Sequence, residues 1–108
     1  MRKKLVAGNW KMHGGLQANQ ALVAALCERA EALPCEVALC VPFPYLAQVS
    51  ALLSASPISF GAQNVSEFVQ GAYTGEVAAG MLREFARMPR ITMTTINSIM
   101  VKPVWCLS

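Results

Sequence analysis

Charged residues and histidine are both scarce in this chain of 108 residues, at 14% charged with a single histidine, His13. The four cysteines, Cys27, Cys35, Cys40 and Cys106, include no Cys-x-x-Cys pair. With one histidine they cannot assemble a zinc set of ordinary spacing, and neither a metal nor a cofactor is expected. Cys27 sits in a helical pattern and Cys40 in a strand pattern, which marks both as buried thiols rather than disulfide partners. No apolar run approaches the roughly eighteen residues of a membrane helix. Only Leu5, Val6 and Ala7 run together before Gly8, too few for a signal-peptide core, so a cytoplasmic location is the default. Acid is absent after Glu84. Residues 1 to 86 hold six Lys or Arg and six Glu, which cancel, so the net +3 comes from Arg87, Arg90 and Lys102. Three scattered cations without interleaved aromatics leave no nucleic-acid footprint.

What remains is apolar, 55% of the chain. That is too much for disorder and enough for one domain with a modest core. Strand and helix patterns alternate. A strand over about 4–8 precedes a helix over 18–33, whose apolar face is Leu22, Ala25, Leu26, Arg29, Ala30 and Leu33. Pro34 stops that helix. Val37 to Val41 reads as a strand covered on both faces, broken by Pro42 and Pro44. A short helix over 45–53 brings Leu46, Val49 and Leu53 together. Ile58 to Ala62 is a third strand, followed by a long loop from Gln63 to Thr74. A third helix is expected over 75–87, with Val77, Met81 and Phe85 aligned. Three repeats of strand then helix predict an α/β fold with parallel pairing by right-handed crossovers. Residues 1–87 form one segment. Residues 88–108, rich in Met, Thr and Ile and without a clear period, form an unassigned tail of the kind a frame shift produces.

The candidate chemistry lies at the end of the first strand. Gly8 lets the backbone turn, and Asn9 and Lys11 stand two apart, so in extended geometry both point to one side. An amide and an ammonium at the C-terminal end of a parallel strand suit a small anionic ligand. Asn9 can also fold back onto its own backbone as a turn former, which is compatible with binding.

Four motifs follow in order: Gly8-Asn9-Trp10-Lys11-Met12, Val41-Pro42-Phe43-Pro44-Tyr45-Leu46, Gly61-Ala62-Gln63-Asn64-Val65-Ser66 and Gly71-Ala72-Tyr73-Thr74-Gly75-Glu76-Val77. Ala79-Gly80-Met81-Leu82 comes close behind. Together they resemble the triosephosphate isomerase family over residues 3 to 85. Because a whole (β/α)₈ barrel takes about 250 residues, the resemblance implies a partial barrel of the first three βα units. It implies interconversion of dihydroxyacetone phosphate and glyceraldehyde 3-phosphate by proton transfer through an enediol. No cofactor takes part, and the setting is a cytoplasmic homodimer of glycolysis and gluconeogenesis. Lys11 takes the catalytic electrostatic role, and Asn9 and Lys11 bind substrate. Met12, His13, Gln63, Asn64, Tyr73, Thr74, Gly75 and Glu76 fall at the dimer contact. His13 does not align with the catalytic histidine, and neither Glu67 nor Glu76 matches the catalytic base. Triosephosphate isomerases are themselves a standard worked case of a Glu base paired with a neutral His, yet the family's Gly-His-Ser-Glu-Arg-Arg motif has no counterpart here. Val101-Lys102-Pro103-Val104-Trp105 echoes the segment that carries the base, with Lys102 in its place, and is read as coincidence. The expectation is an amino-terminal, truncated isomerase, inactive alone. Two alternatives stand beside it: a non-catalytic module docking on an intact isomerase subunit through residues 63–76, and a small phosphate-binding α/β domain.

Overall fold

The apolar run that Pro42 interrupts becomes the central strand. The structure, a computed structural model, describes residues 4–85. Glu36–Val41 (β2) lies between Leu5–Asn9 (β1) and Ser59–Ala62 (β3), and both pairings are parallel. Gly8 stands opposite Leu39 and Leu39 opposite Phe60, while Asn9 faces Cys40 and Cys40 faces Gly61. Strand alternation therefore gives Leu39, Val41, Phe60 and Ala62 to one face, and Asn9, Ala38, Cys40 and Gly61 to the other. The helices cover the first face. Leu39, Val41, Phe60 and Ala62 pack with Val23, Ala30, Leu46, Val49, Leu53 and Leu82 in one core. Val41 and Val49 are 0% exposed, and burying side chains of this size stabilises by about 1.5–3 kcal/mol each. The architecture is α/β, three βα units in the arrangement of a partial barrel.

Helix Leu16–Ala30 (α1) starts and stops earlier than its pattern suggests. Its end tightens through i→i+3 bonds, from the Ala32 N–H to the Arg29 carbonyl and from the Leu33 N–H to the Ala30 carbonyl, before Pro34. Its buried face is also rotated from the expected one. Asn19, Val23 and Ala30 are buried, with Leu26 and Cys27 packed against the core, whereas Leu22 and Leu33 are exposed. Alanines at 18, 21, 24 and 25 give this helix apolar character on several sides, so periodicity alone did not fix which side packs.

The second helix agrees with expectation. A 3-10 turn over Phe43–Tyr45 leads into Leu46–Leu52 (α2), and Leu46, Val49 and Leu53 are all buried. The third begins later, at Ala79–Arg83 (α3). Gly75 has φ +82, outside the helical region, and the Val77 carbonyl is taken by the Ser66 N–H at 2.8 Å. Ala78 and Leu82 are buried; of the expected Val77–Met81–Phe85 stripe, Val77 and Phe85 pack half-buried against the core and Met81 is exposed. The last residues expected in this helix and the whole 88–108 tail lie outside the described residues.

Asn19 is the one polar side chain among the described residues that is fully buried, at 2% exposed. Its Oδ1 accepts from the Gly15 N–H at 3.2 Å, and its Nδ2 donates to Gln48 Oε1 at 3.0 Å. Gln48 in turn donates to the Leu16 carbonyl at 2.6 Å, so one short network fastens α2 to the start of α1. Asn19→Ala strands an N–H and an amide oxygen and should cost about 1–3 kcal/mol. Urea unfolding of the chain checks this; an unchanged midpoint would show that the network contributes nothing.

Candidate functional site

The three strands end beside one another, and the candidate site is built on those ends. The Trp10 N–H donates to the Cys40 carbonyl at 3.0 Å, carrying the β1–β2 pairing one residue past the strand. The backbone then turns sharply. Lys11 has φ +54, the only positive φ at a non-glycine among the described residues. For a lysine such a conformation costs on the order of 1 kcal/mol and persists only where neighbours hold it. Asn9 supplies one hold, since its Oδ1 accepts from the Lys11 N–H at 2.9 Å. This is the side-chain-to-backbone turn open to asparagine. The extended arrangement, with Asn9 and Lys11 pointing the same way along a continuing strand, is not what forms; β1 stops at Asn9.

Gln63 supplies the second hold. It follows β3 directly, and its Nε2 donates to the Lys11 carbonyl at 2.9 Å and to the Cys40 carbonyl at 3.0 Å, with Asn9 Oδ1 at 3.4 Å. One amide group thus links the ends of all three strands. The Lys11 side chain is exposed, and its ammonium has no ion pair or hydrogen bond among the described residues. The result is an uncompensated cation on a backbone fixed from two sides. Such a group can meet a phosphoryl oxygen without first breaking a protein contact.

The rest of the Lys11 loop is anchored from the turn that leads into α2. The Tyr45 hydroxyl donates to the Gly14 carbonyl at 3.2 Å. Gly14 has φ +135, and a Cβ there would stand 2.8 Å from the Tyr45 ring, so both conformation and space require glycine.

The loop after Gln63 is closed at its base by the Ser66–Val77 bond. Inside it the Phe68 and Tyr73 rings stack with centroids 4.4 Å apart, and a Cβ on Gly71 would strike the Tyr73 ring at 2.7 Å. This is an Ω-like loop held by its own side chains. It is also exposed and partly apolar, with Val69 86% exposed and Phe68 and Tyr73 about half so.

Of the residues assigned by resemblance, Asn9, Lys11 and Gln63 are brought together by hydrogen bonds. Met12 and His13 are exposed, as are Tyr73, Thr74, Gly75 and Glu76, while Gln63 and Asn64 are half-buried. No hydrogen bond among the described residues joins Met12 or His13 to the stretch 73–76. Asn19, Tyr45 and Gln48 were not foreseen as supports. The available signal was an asparagine four residues before Val23, on the face that buries. A cleft of about 750 Å³ lies elsewhere, lined by Leu5, Glu36, Ala38, Ser59 and Gly61 among others, and Asn9, Lys11 and Gln63 are not part of it. Among the described residues no three His, Cys, Asp or Glu converge on a point where a metal could sit. No described helix is long and apolar enough to cross a membrane.

Parallel strands, helices on one face and polar side chains gathered at the C-terminal strand ends define a segment of a (β/α) barrel. The triosephosphate isomerase family model matches residues 4–91, and the chain belongs to that family. It is 62% identical over 85 residues to the triosephosphate isomerase of Dechloromonas aromatica, covering 79% of this chain and 34% of that protein. The corresponding enzyme of Thiobacillus denitrificans is 61% identical over the same shares of each chain. That of Bordetella pertussis is 60% identical over 84 residues, 78% of this chain and 34% of the relative. These relatives are named as isomerases, and the chain spans about a third of their length.

Proposed function

We propose that this chain carries the substrate-anchoring part of a triosephosphate isomerase site, in which Asn9 and Lys11 meet the anionic substrate and Lys11 also stabilises the enediolate oxygen. The substrate is the pair dihydroxyacetone phosphate and glyceraldehyde 3-phosphate, interconverted by proton transfer, in a cytoplasmic glycolytic and gluconeogenic setting. The observation that carries the reading is the Lys11 turn: a cation without an ion pair among the described residues, on a backbone held by Asn9 and Gln63. Preorganised charge of this kind acts where negative charge develops. The described residues include neither a histidine nor a carboxylate placed beside Lys11 by any hydrogen bond or ion pair. The 108 residues by themselves are therefore proposed to bind anions and not to turn them over. The test joins residues 1–85 to the remaining part of the Dechloromonas aromatica relative. That hybrid should isomerise triose phosphates, and a folded hybrid without activity would sink the reading.

The exposed loop supports a dimer contact through Met12, His13, Gln63, Asn64 and residues 73–76. Exposed Met12, Val69 and Tyr73 in one chain are apolar area that a partner would bury. Shortening Val65–Ala72 in the hybrid should convert a dimer to monomers by sedimentation; a dimer of unchanged mass argues against the contact. The same loop supports the second reading, a non-catalytic module docking on an intact isomerase subunit. Binding of the isolated chain to a full-length relative, lost on the same loop deletion, would favour it. The division at residue 87, with the following residues as a separate tail, is part of the proposal.

A further inference from the structure

We propose that Gln63 is a positioning residue for Lys11, holding it in its left-handed turn through an amide that only donates; this rests on the reading of Lys11 as the anion contact. Three oxygens surround Gln63 Nε2, those of the Lys11 and Cys40 carbonyls and of the Asn9 amide, at 2.9, 3.0 and 3.4 Å. A primary amide nitrogen has two N–H groups, so the two shorter contacts use both, and the longer one is a shared third. All the partners are acceptors, which fixes the amide orientation: its nitrogen, not its oxygen, must face the loop. The Asn9 oxygen beside it accepts the Lys11 N–H, so Lys11 is gripped at its N–H by Asn9 and at its carbonyl by Gln63. A residue with φ +54 that is clamped at both ends of its own peptide framework is held against its preference for negative φ. Because the second clamp comes from the end of β3 and also holds the β2 carbonyl, the position of Lys11 is referred to the sheet and not to its own loop.

A carboxylate in place of this amide offers a sharp contrast. The carboxyl side chain of a Gln63→Glu variant has nearly the same shape, but ionised it presents two acceptors to three oxygens and donates nothing. Protonated, it regains one O–H donor. The Lys11 turn should then be favoured at low pH and lost as the carboxyl group ionises with rising pH.

The experiment uses the full 108-residue chain uniformly labelled with ¹⁵N. A positive φ brings a residue's own amide and α protons close, so the wild-type Lys11 amide should give a strong intraresidue cross-relaxation peak. In Gln63→Ala that peak should fall several-fold while the Leu39 and Val41 amides keep their shifts. In Gln63→Glu it should be weak at pH 7.5 and recover at pH 4.5. A Lys11 peak that is unchanged in Gln63→Ala, or independent of pH in Gln63→Glu, overturns the inference. If Gln63→Ala does not fold, the pH comparison in Gln63→Glu decides alone. Inorganic sulfate, doubly charged across this pH range, separates the underlying reading. It should shift the wild-type Lys11 signal, and shift it at least about tenfold less where the turn is lost. A wild-type turn that is intact but indifferent to sulfate defeats the anion-contact reading while leaving the Gln63 clamp standing.

Discussion

Lys11→Ala in the hybrid completed with the rest of a relative should lower kcat by about 10²–10³, equivalent to about 3–4 kcal/mol of transition-state stabilisation. The size follows from three features of the site. The ammonium has no ion pair among the described residues, so its field is not already spent on a protein carboxylate. Its backbone is fixed by Asn9 at the N–H and by Gln63 at the carbonyl, so little reorganisation is needed when charge develops on the substrate. And Lys11 lies at the strand ends, where a barrel closes over its ligand and excludes water, which strengthens each charge interaction. Alanine removes the cation while keeping a side chain that the exposed turn accommodates. Steady-state kinetics on the hybrid and its variant check the expectation. A loss of only a few-fold would mean that Lys11 is a loop residue with a solvated charge.

Most of the fold was legible because proline and glycine punctuate it. Pro34 and Pro42 bracket the central strand, and that strand runs Glu36–Val41, the apolar run Val37–Val41 extended by one residue. Helix faces were less legible. In α1 the core selects Val23 over Leu22, and small alanines around both positions leave nothing in the periodicity to prefer one. In α3 the apolar spacing suggested a start at Gly75, but that glycine adopts φ +82 and the Val77 carbonyl closes the preceding loop, so the helix waits until Ala79. The site divides in the same way. Asn9 and Lys11 were visible as a local motif. The clamp that holds them was not, because Gln63 reaches Asn9 across 54 residues of sequence and no spacing rule links them. Asn19 and Gln48 are joined across 29 residues for the same reason. Local punctuation is written in neighbouring residues; side-chain bonds between strand ends depend on register, which emerges only when the sheet forms.

The second large effect concerns the 108 residues alone, which should show no isomerisation of triose phosphates. Among the described residues the sheet has three parallel strands, and closure of a barrel needs eight. Asn9, Cys40 and Gly61 lie on the sheet face turned away from the core of the described residues, so a ligand at Lys11 stays wetted on one side. Weak anion binding should survive that, whereas proton transfer should not, since it depends on a positioned acid or base within hydrogen-bond reach of the reacting carbon and oxygen. Exposed Leu5, Val6 and Leu22, with β1 at the edge of the sheet among the described residues, favour association with other chains over a lone monomer. The most direct measurement is therefore a turnover assay on the 108-residue chain purified from a host without its own isomerase. Conversion of glyceraldehyde 3-phosphate should stay at the rate of the buffer, with Lys11→Ala indistinguishable from the parent. Turnover well above that rate, abolished by Lys11→Ala, would contradict the account.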